Sequence, residues 1–159
     1  MRNPPMITHD ELIFCLGQKY PNLVHGVDFW VGQEVSRDTG KQLEAARIIA
    51  WHVDGKPTDE DVAALIAQHG EAARQYVLGQ HVRQERDRRL KVADAMFYKA
   101  MDSGDASKVQ QVGQYRQALR EVPEQPGFPE AFTWPDIPDT LMDLIPSDDQ
   151  SVQARSAGR

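Results

Sequence analysis

The stretch Tyr115-Arg116-Gln117-Ala118-Leu119-Arg120-Glu121-Val122-Pro123, followed by Gln125-Pro126-Gly127-Phe128-Pro129 and Thr133-Trp134-Pro135, limits the fold of this chain more than any other. It joins the end of an amphipathic helix to an arm stiffened by prolines at 123, 126, 129, 135 and 138. Those prolines donate no ladder hydrogen bonds and bias the backbone toward polyproline II geometry. Such an arm cannot pack on itself, so Phe128, Phe132 and Trp134 need a surface from elsewhere in the fold or from another protein. Both uses bury the same rings, and at this stage both stand open. Either way the arm reads as a docking element rather than a catalytic one.

Two segments ahead of the arm set the fold class. Thr8 with Glu11 three residues on reads as a capping box that opens a short helix, with Leu12, Ile13 and Leu16 on its apolar face and Tyr20-Pro21 as its end. Val27 to Gln33 and Leu43 to Val53 are strand candidates, with Val27, Phe29 and Val31 on one face and Ile49, Trp51 and Val53 alternating together. The polar turn from Ser36 to Lys41 makes them an antiparallel hairpin. Thr58 and Asp61 cap a second helix that carries Val62, Leu65 and Ile66 as far as Gly70.

Residues 71–102 then read as a long helix whose middle, Arg83 to Lys91, is almost wholly charged. Apolar spacing returns at Leu90, Ala93, Met96, Phe97, Ala100 and Met101. Ser103-Gly104-Asp105 breaks that helix, and a last one from about 107 to 122 carries Val109, Val112, Tyr115, Leu119 and Val122. A short link between two apolar stripes makes an antiparallel helical hairpin.

The expected class is therefore α+β: a helix–β-hairpin–helix unit over 8–70, a helical domain with a proline-rich arm over 71–138, and an acidic, flexible tail over 139–159. Within that tail Leu141, Met142, Leu144 and Ile145 form one small apolar island. Whether the long helix breaks near Gly70 or Gly79 is left open by the pattern.

Composition excludes several functions. A net charge of −6 argues against a general nucleic-acid binder. One cysteine, Cys15, permits no internal disulfide, and no apolar run approaches the roughly 20 residues of a membrane span. The N-terminal Met1-Arg2-Asn3-Pro4-Pro5 lacks the apolar region of a signal peptide, so the expectation is an intracellular, soluble protein.

The candidate chemistry is thin. No two of the histidines at 9, 25, 52, 69 and 81 share the helical spacing of a metal pair, and no cofactor or metal is expected. His52 and Asp54 lie on the same side of a strand, but the solvated end of a hairpin accounts for them better than base chemistry. Cys15 reads as a small buried hydrophobe. The basic residues Arg74, Arg83, Arg86, Arg88, Arg89 and Lys91 are interrupted by Glu85 and Asp87 and read as a solvated helix face.

Tyr115 to Arg120, Pro123, Gln125 to Pro129 and Trp134-Pro135 together resemble the C-terminal signature of bacteriophage tail assembly chaperones, including tail fibre assembly proteins. The helix with Arg83-Gln84-Glu85-Arg86-Asp87-Arg88-Arg89-Leu90 resembles the Arg/Asp-rich helix of that family, and the N-terminal unit is similar to small units fused to such domains in phage and prophage proteins. Where family members often carry Thr-Asp-Trp, this chain has Val92 to Phe97 and shares only Asp94.

The resemblance implies a non-enzymatic protein that binds a phage tail or tail-fibre protein in the host cytoplasm, with no nucleic acid and no membrane, and that in some cases remains in the virion tail. The expected partner-binding residues are Tyr115, Arg116, Leu119, Arg120, Phe128, Phe132 and Trp134, the two arginines pairing with acidic groups. The rival expectation is a permanent structural subunit of the tail, baseplate or fibre network. A small enzyme built around His52, or a binder of host protein through residues 141–145, stand further off.

Overall fold

A computed structural model describes residues 6–147. The chain divides into two compact units, one extending to Val77 and the other beginning at Leu78.

The first unit starts at the expected cap. Thr8 accepts from the Glu11 amide while the Glu11 carboxylate accepts from the Thr8 amide at 2.9 Å, and α1 runs His9–Lys19. Tyr20 closes it by donating to the Leu16 carbonyl at 2.8 Å. Strand β1 (Phe29–Gly32) pairs antiparallel with β2 (Arg47–Trp51), Phe29 opposite Trp51 and Gly32 opposite Arg47. Leu12, Cys15, Leu16, Phe29, Val31 and Leu65 form the core, with Ile48, Trp51 and Tyr20 packed against it.

Two sequence expectations fail here, one through a register shift and one through the late start of β1. Simple alternation puts Ile49 beside Trp51, but the register shifts between Trp30 and Val31, so Trp30 faces Ala50 and Val31 faces Ile48. The extra residue is Ile49, which is 59% exposed, and Ile48 takes its place on the core. A bulge inserts one residue and reverses the parity of everything beyond it. Val27 precedes the strand in a turn and is exposed, not aligned with Phe29.

Helix α2 is a single helix, Asp59–Asp102, with no break at Gly70 or Gly79. Its start is fixed by reciprocal bonds between Thr58 and Asp61, at 3.0 Å and 3.1 Å. In the second unit its apolar stripe meets α3 (Ala106–Glu121), whose N-terminus is capped by Asp105 accepting from the Lys108 amide at 3.1 Å. Ala93, Met96, Ala100, Val112 and Leu119 are wholly buried there, whereas Met101 faces solvent.

The arm leaves α3 through a 3-10 turn at Val122–Glu124, turns again over 126–130, and runs without helix or strand over 132–138. A second 3-10 turn, Asp139–Leu144, follows. Here the tail expectation needs correcting: Leu141, Leu144 and Ile145 are buried against Val92, Met96, Ala100 and Val112. The apolar island belongs to the core of the second unit, because the hairpin of α2 and α3 leaves an open apolar side that these residues cover. The rest of the expected tail, residues 148–159, lies outside the described residues.

Candidate partner-binding surface

The arm reaches α2 because the helix gives way at one position. A Cβ on Gly79 would lie 3.6 Å from Phe128 Cε1 and 3.8 Å from Pro129 Cβ, so any larger side chain would fill the space the arm occupies. Gly127 makes the turn, at φ +85°, and a Cβ there would meet the Ala131 carbonyl oxygen at 2.8 Å. The Gln125 side chain then fixes the far end of the turn. Its Nε2 donates to the Thr133 carbonyl at 2.9 Å and its Oε1 accepts from the Thr133 amide at 2.8 Å. One side-chain amide thus satisfies both backbone groups of a residue that has no strand to pair with.

This clamp lines up three rings. Phe128 and Phe132 have centroids 6.0 Å apart, and Phe132 meets Trp134 edge-on at 5.1 Å. Arginines of α2 close the row at both ends: the Arg83 guanidinium lies 5.2 Å from the Phe128 centroid and that of Arg89 lies 4.3 Å from Trp134. Guanidinium groups favour ring faces because the ring quadrupole is negative there. Arg89 also bonds Glu85 at 3.1 Å, which holds the guanidinium in place. All three rings are half-buried and keep an open side.

Beyond the three rings, the expected binding residues divide into a buried pair and two arginines. Tyr115 and Leu119 belong to the core, at 5% and 0% exposure, and Trp134 packs against them. Burial pushes the Tyr115 phenol above its ordinary value, with Arg89 pulling the other way. Arg116 is half-buried, its guanidinium 4.8 Å from the Phe97 centroid and 2.6 Å from Asp94 Oδ1, while its Nε is buried without an acceptor. Arg120 is exposed and, among the described residues, makes no ion pair. The residues that sequence reasoning missed are Gly79, Arg83, Arg89 and Gln125. A glycine inside a helix was the one hint of the first, and Gly17, Gly70 and Gly113 carry the same hint with no other element against them.

Elsewhere, His52 and Asp54 are both exposed, and burial pushes the Cys15 thiol upward. An open groove of about 360 Å³ lies along Gln18, Lys19, Asp61, Leu65 and His69 in the first unit. Among the described residues no helix is long and apolar enough to cross a membrane.

The boundaries of the two units coincide closely with two family matches. Residues 79–139 match the model of the phage tail assembly chaperone protein family, and residues 12–74 match that of the XkdW protein. No curated protein and no solved structure matches the chain significantly. Residues 79–139, which hold the ring row and both its arginines, form a domain of the phage tail assembly chaperone family. It has a role in phage tail assembly, and the family assignment implies that this role is non-enzymatic.

Proposed function

We propose that this protein is a phage tail or tail-fibre assembly chaperone that binds its client at the ring row of the arm, in the host cytoplasm during assembly. The observation that carries this reading is that Phe128, Phe132 and Trp134 are held in a fixed row yet left half-open, inside the segment that matches the chaperone family. A fixed aromatic row costs little entropy when a client covers it, and aromatic side chains dominate interface energetics. Arg116 and Arg120 pair with acidic groups of the client, and Tyr115 and Leu119 act from beneath by supporting Trp134. Since both are buried, their substitution would weaken binding through loss of packing.

The test is co-purification of tail and tail-fibre proteins encoded beside this chain. Replacing Phe128 and Trp134 together by alanine removes two anchors worth about 2 kcal/mol or more each and should abolish capture. Undiminished capture by a folded double variant rejects the reading. Mass spectrometry of purified particles separates it from the rival: a stoichiometric band makes the protein a permanent tail, baseplate or fibre subunit, whereas absence from particles leaves the chaperone.

A further inference from the structure

The face of α2 that meets the arm carries arginines where an apolar stripe would otherwise continue. Arg83, Arg86 and Arg89 recur every three residues, one helical turn apart. The outer two lie against rings, Arg83 on Phe128 and Arg89 on Trp134. The middle one has a different arrangement. Arg86 Nε and Nη2 both turn to a single oxygen of the adjacent Asp87, at 3.0 Å and 2.7 Å.

Adjacent helical side chains diverge, so this pair is not one of the i, i+3 or i, i+4 pairs that a helix face favours. Asp87 is 58% exposed and Arg86 only 23%. The guanidinium edge is therefore met by one oxygen of an exposed neighbour rather than by the two-oxygen fork that suits a guanidinium. The surroundings add to this. Residues 83–91 hold five cations against Glu85 and Asp87, in a chain whose net charge is −6. That overall charge disfavours a nucleic-acid polyanion and leaves a local positive strip suited to a short acidic segment.

We propose that the client segment seated on the ring row is acidic, with a carboxylate that displaces Asp87 from Arg86 and apolar side chains against Phe128, Phe132 and Trp134. This deepens the reading above and rests on it. The carboxylate takes both N–H groups of Arg86 in bidentate form, and the neighbouring rings exclude water from the contact. The exposed Arg88 and Lys91 draw the acidic segment toward the row.

The probes are two labelled synthetic peptides of equal length, one of repeated Glu-Ala-Phe and one of repeated Gln-Ala-Phe, and a single-stranded DNA of comparable length. Binding to the full chain is read by fluorescence anisotropy at physiological salt. The Glu peptide should bind about tenfold or more tighter than the Gln peptide, as a charge-assisted contact requires. Arg86→Gln should erase that preference, and Arg86→Lys should restore only part of it because an ammonium lacks the fork. Asp87→Asn, which frees Arg86, should tighten the Glu peptide.

Equal affinity for the two peptides, a preference that survives Arg86→Gln, or tighter binding of the DNA overturns the proposal. The two readings fail separately. If Arg86→Gln leaves client co-purification intact while the Phe128→Ala/Trp134→Ala pair abolishes it, the acidic client is wrong and the ring row stands.

Discussion

The two units bury aromatic rings in different ways. In the first, Phe29 is 2% exposed, with Trp51 at 5.4 Å from it and Tyr20 at 5.2 Å from Trp51, carbon packed on carbon. In the second, Phe128 and Trp134 lie against guanidinium groups of α2 and stay half-buried, Trp134 also packing on Tyr115 and Leu119. A ring in an apolar core has one arrangement and leaves it only on unfolding. A ring on a surface cation is held by about 0.5–2 kcal/mol and can exchange that partner for another. Trp30, 43% exposed on the outward face of β1, and Tyr76, 51% exposed, are exceptions in the first unit, and no cation lies over either among the described residues.

The largest effect should come from the two cores. Leu16 and Leu119 are both fully buried, one in each unit. Replacement of either by alanine should cost about 2–5 kcal/mol, the range for deleting a buried leucine side chain. Hydrogen exchange then shows whether the units differ in kind. Leu16→Ala should speed exchange across α1 and the hairpin while α3 stays protected, and Leu119→Ala should do the reverse. Equal loss of protection in both units for both variants would make them one cooperative body and dissolve the comparison.

Next in size is the turn that carries the rings. Gly127 sits at φ +85° with no room for a Cβ beside the Ala131 carbonyl. Gly127→Ala should cost about 1–3 kcal/mol in the second unit, the range for a side chain forced into the left-handed region. Gly79→Ala should behave oppositely. Its Cβ would press only on Arg83 Nη1, at 3.1 Å, the mobile end of a long side chain. Alanine should therefore gain up to about 1 kcal/mol of helix propensity. Gly79→Leu should push Phe128 off the helix. Denaturant titrations of the three variants order them, and a destabilising Gly79→Ala would mean the arm lies closer than the distances allow.

These positions also show what could be read without coordinates. The capping boxes at Thr8 and Thr58, the hairpin and the α2–α3 pair were legible because each depends on neighbours in sequence. The bulge at Ile49 was not, since nothing in a run of β-branched residues marks which one is skipped. The fate of Leu141 and Ile145 was hidden as well. A short apolar island in an acidic stretch looks like a tail until the open side of a helical hairpin some 30 to 50 residues earlier is known to need it. Of the proposed binding surface, the rings were legible from the proline pattern. Their arginines were not: Arg83 and Arg89 read as a solvated face until the arm is seen to cross it.

A smaller effect separates the two kinds of ring–cation contact. Arg89→Gln removes the guanidinium 4.3 Å from Trp134 and should cost about 0.5–2 kcal/mol, with a red-shifted Trp134 emission as the ring loosens. In the first unit Lys19 lies 5.6 Å from Tyr20 at the end of α1 with its side chain 45% exposed, and Lys19→Gln should leave stability nearly unchanged. Equal effects would mean that the row is no better held than a chance surface contact.

The smallest effects are acid-dependent and contrast a local with a tertiary origin. Asp61 is held below its ordinary 3.8 chiefly by the Thr58 backbone and hydroxyl, groups of its own helix cap. Asp143 is held below the same 3.8 chiefly by the Lys108 ammonium, 2.7 Å away on α3. In both cases the folded chain binds the proton less tightly than the unfolded chain. The resulting stability is complete above pH 3.8 and is lost as the pH falls through the lower, folded value. Asp61→Asn and Asp143→Asn should therefore destabilise at neutral pH and converge on the parent protein in acid. Amide exchange locates the loss: the first turn of α2 for Asp61, and the 139–145 turn together with the start of α3 for Asp143. If Asp143→Asn disturbs only its own turn, the salt bridge to Lys108 is ornamental, and apolar burial of Leu141, Leu144 and Ile145 alone holds that segment to the second unit.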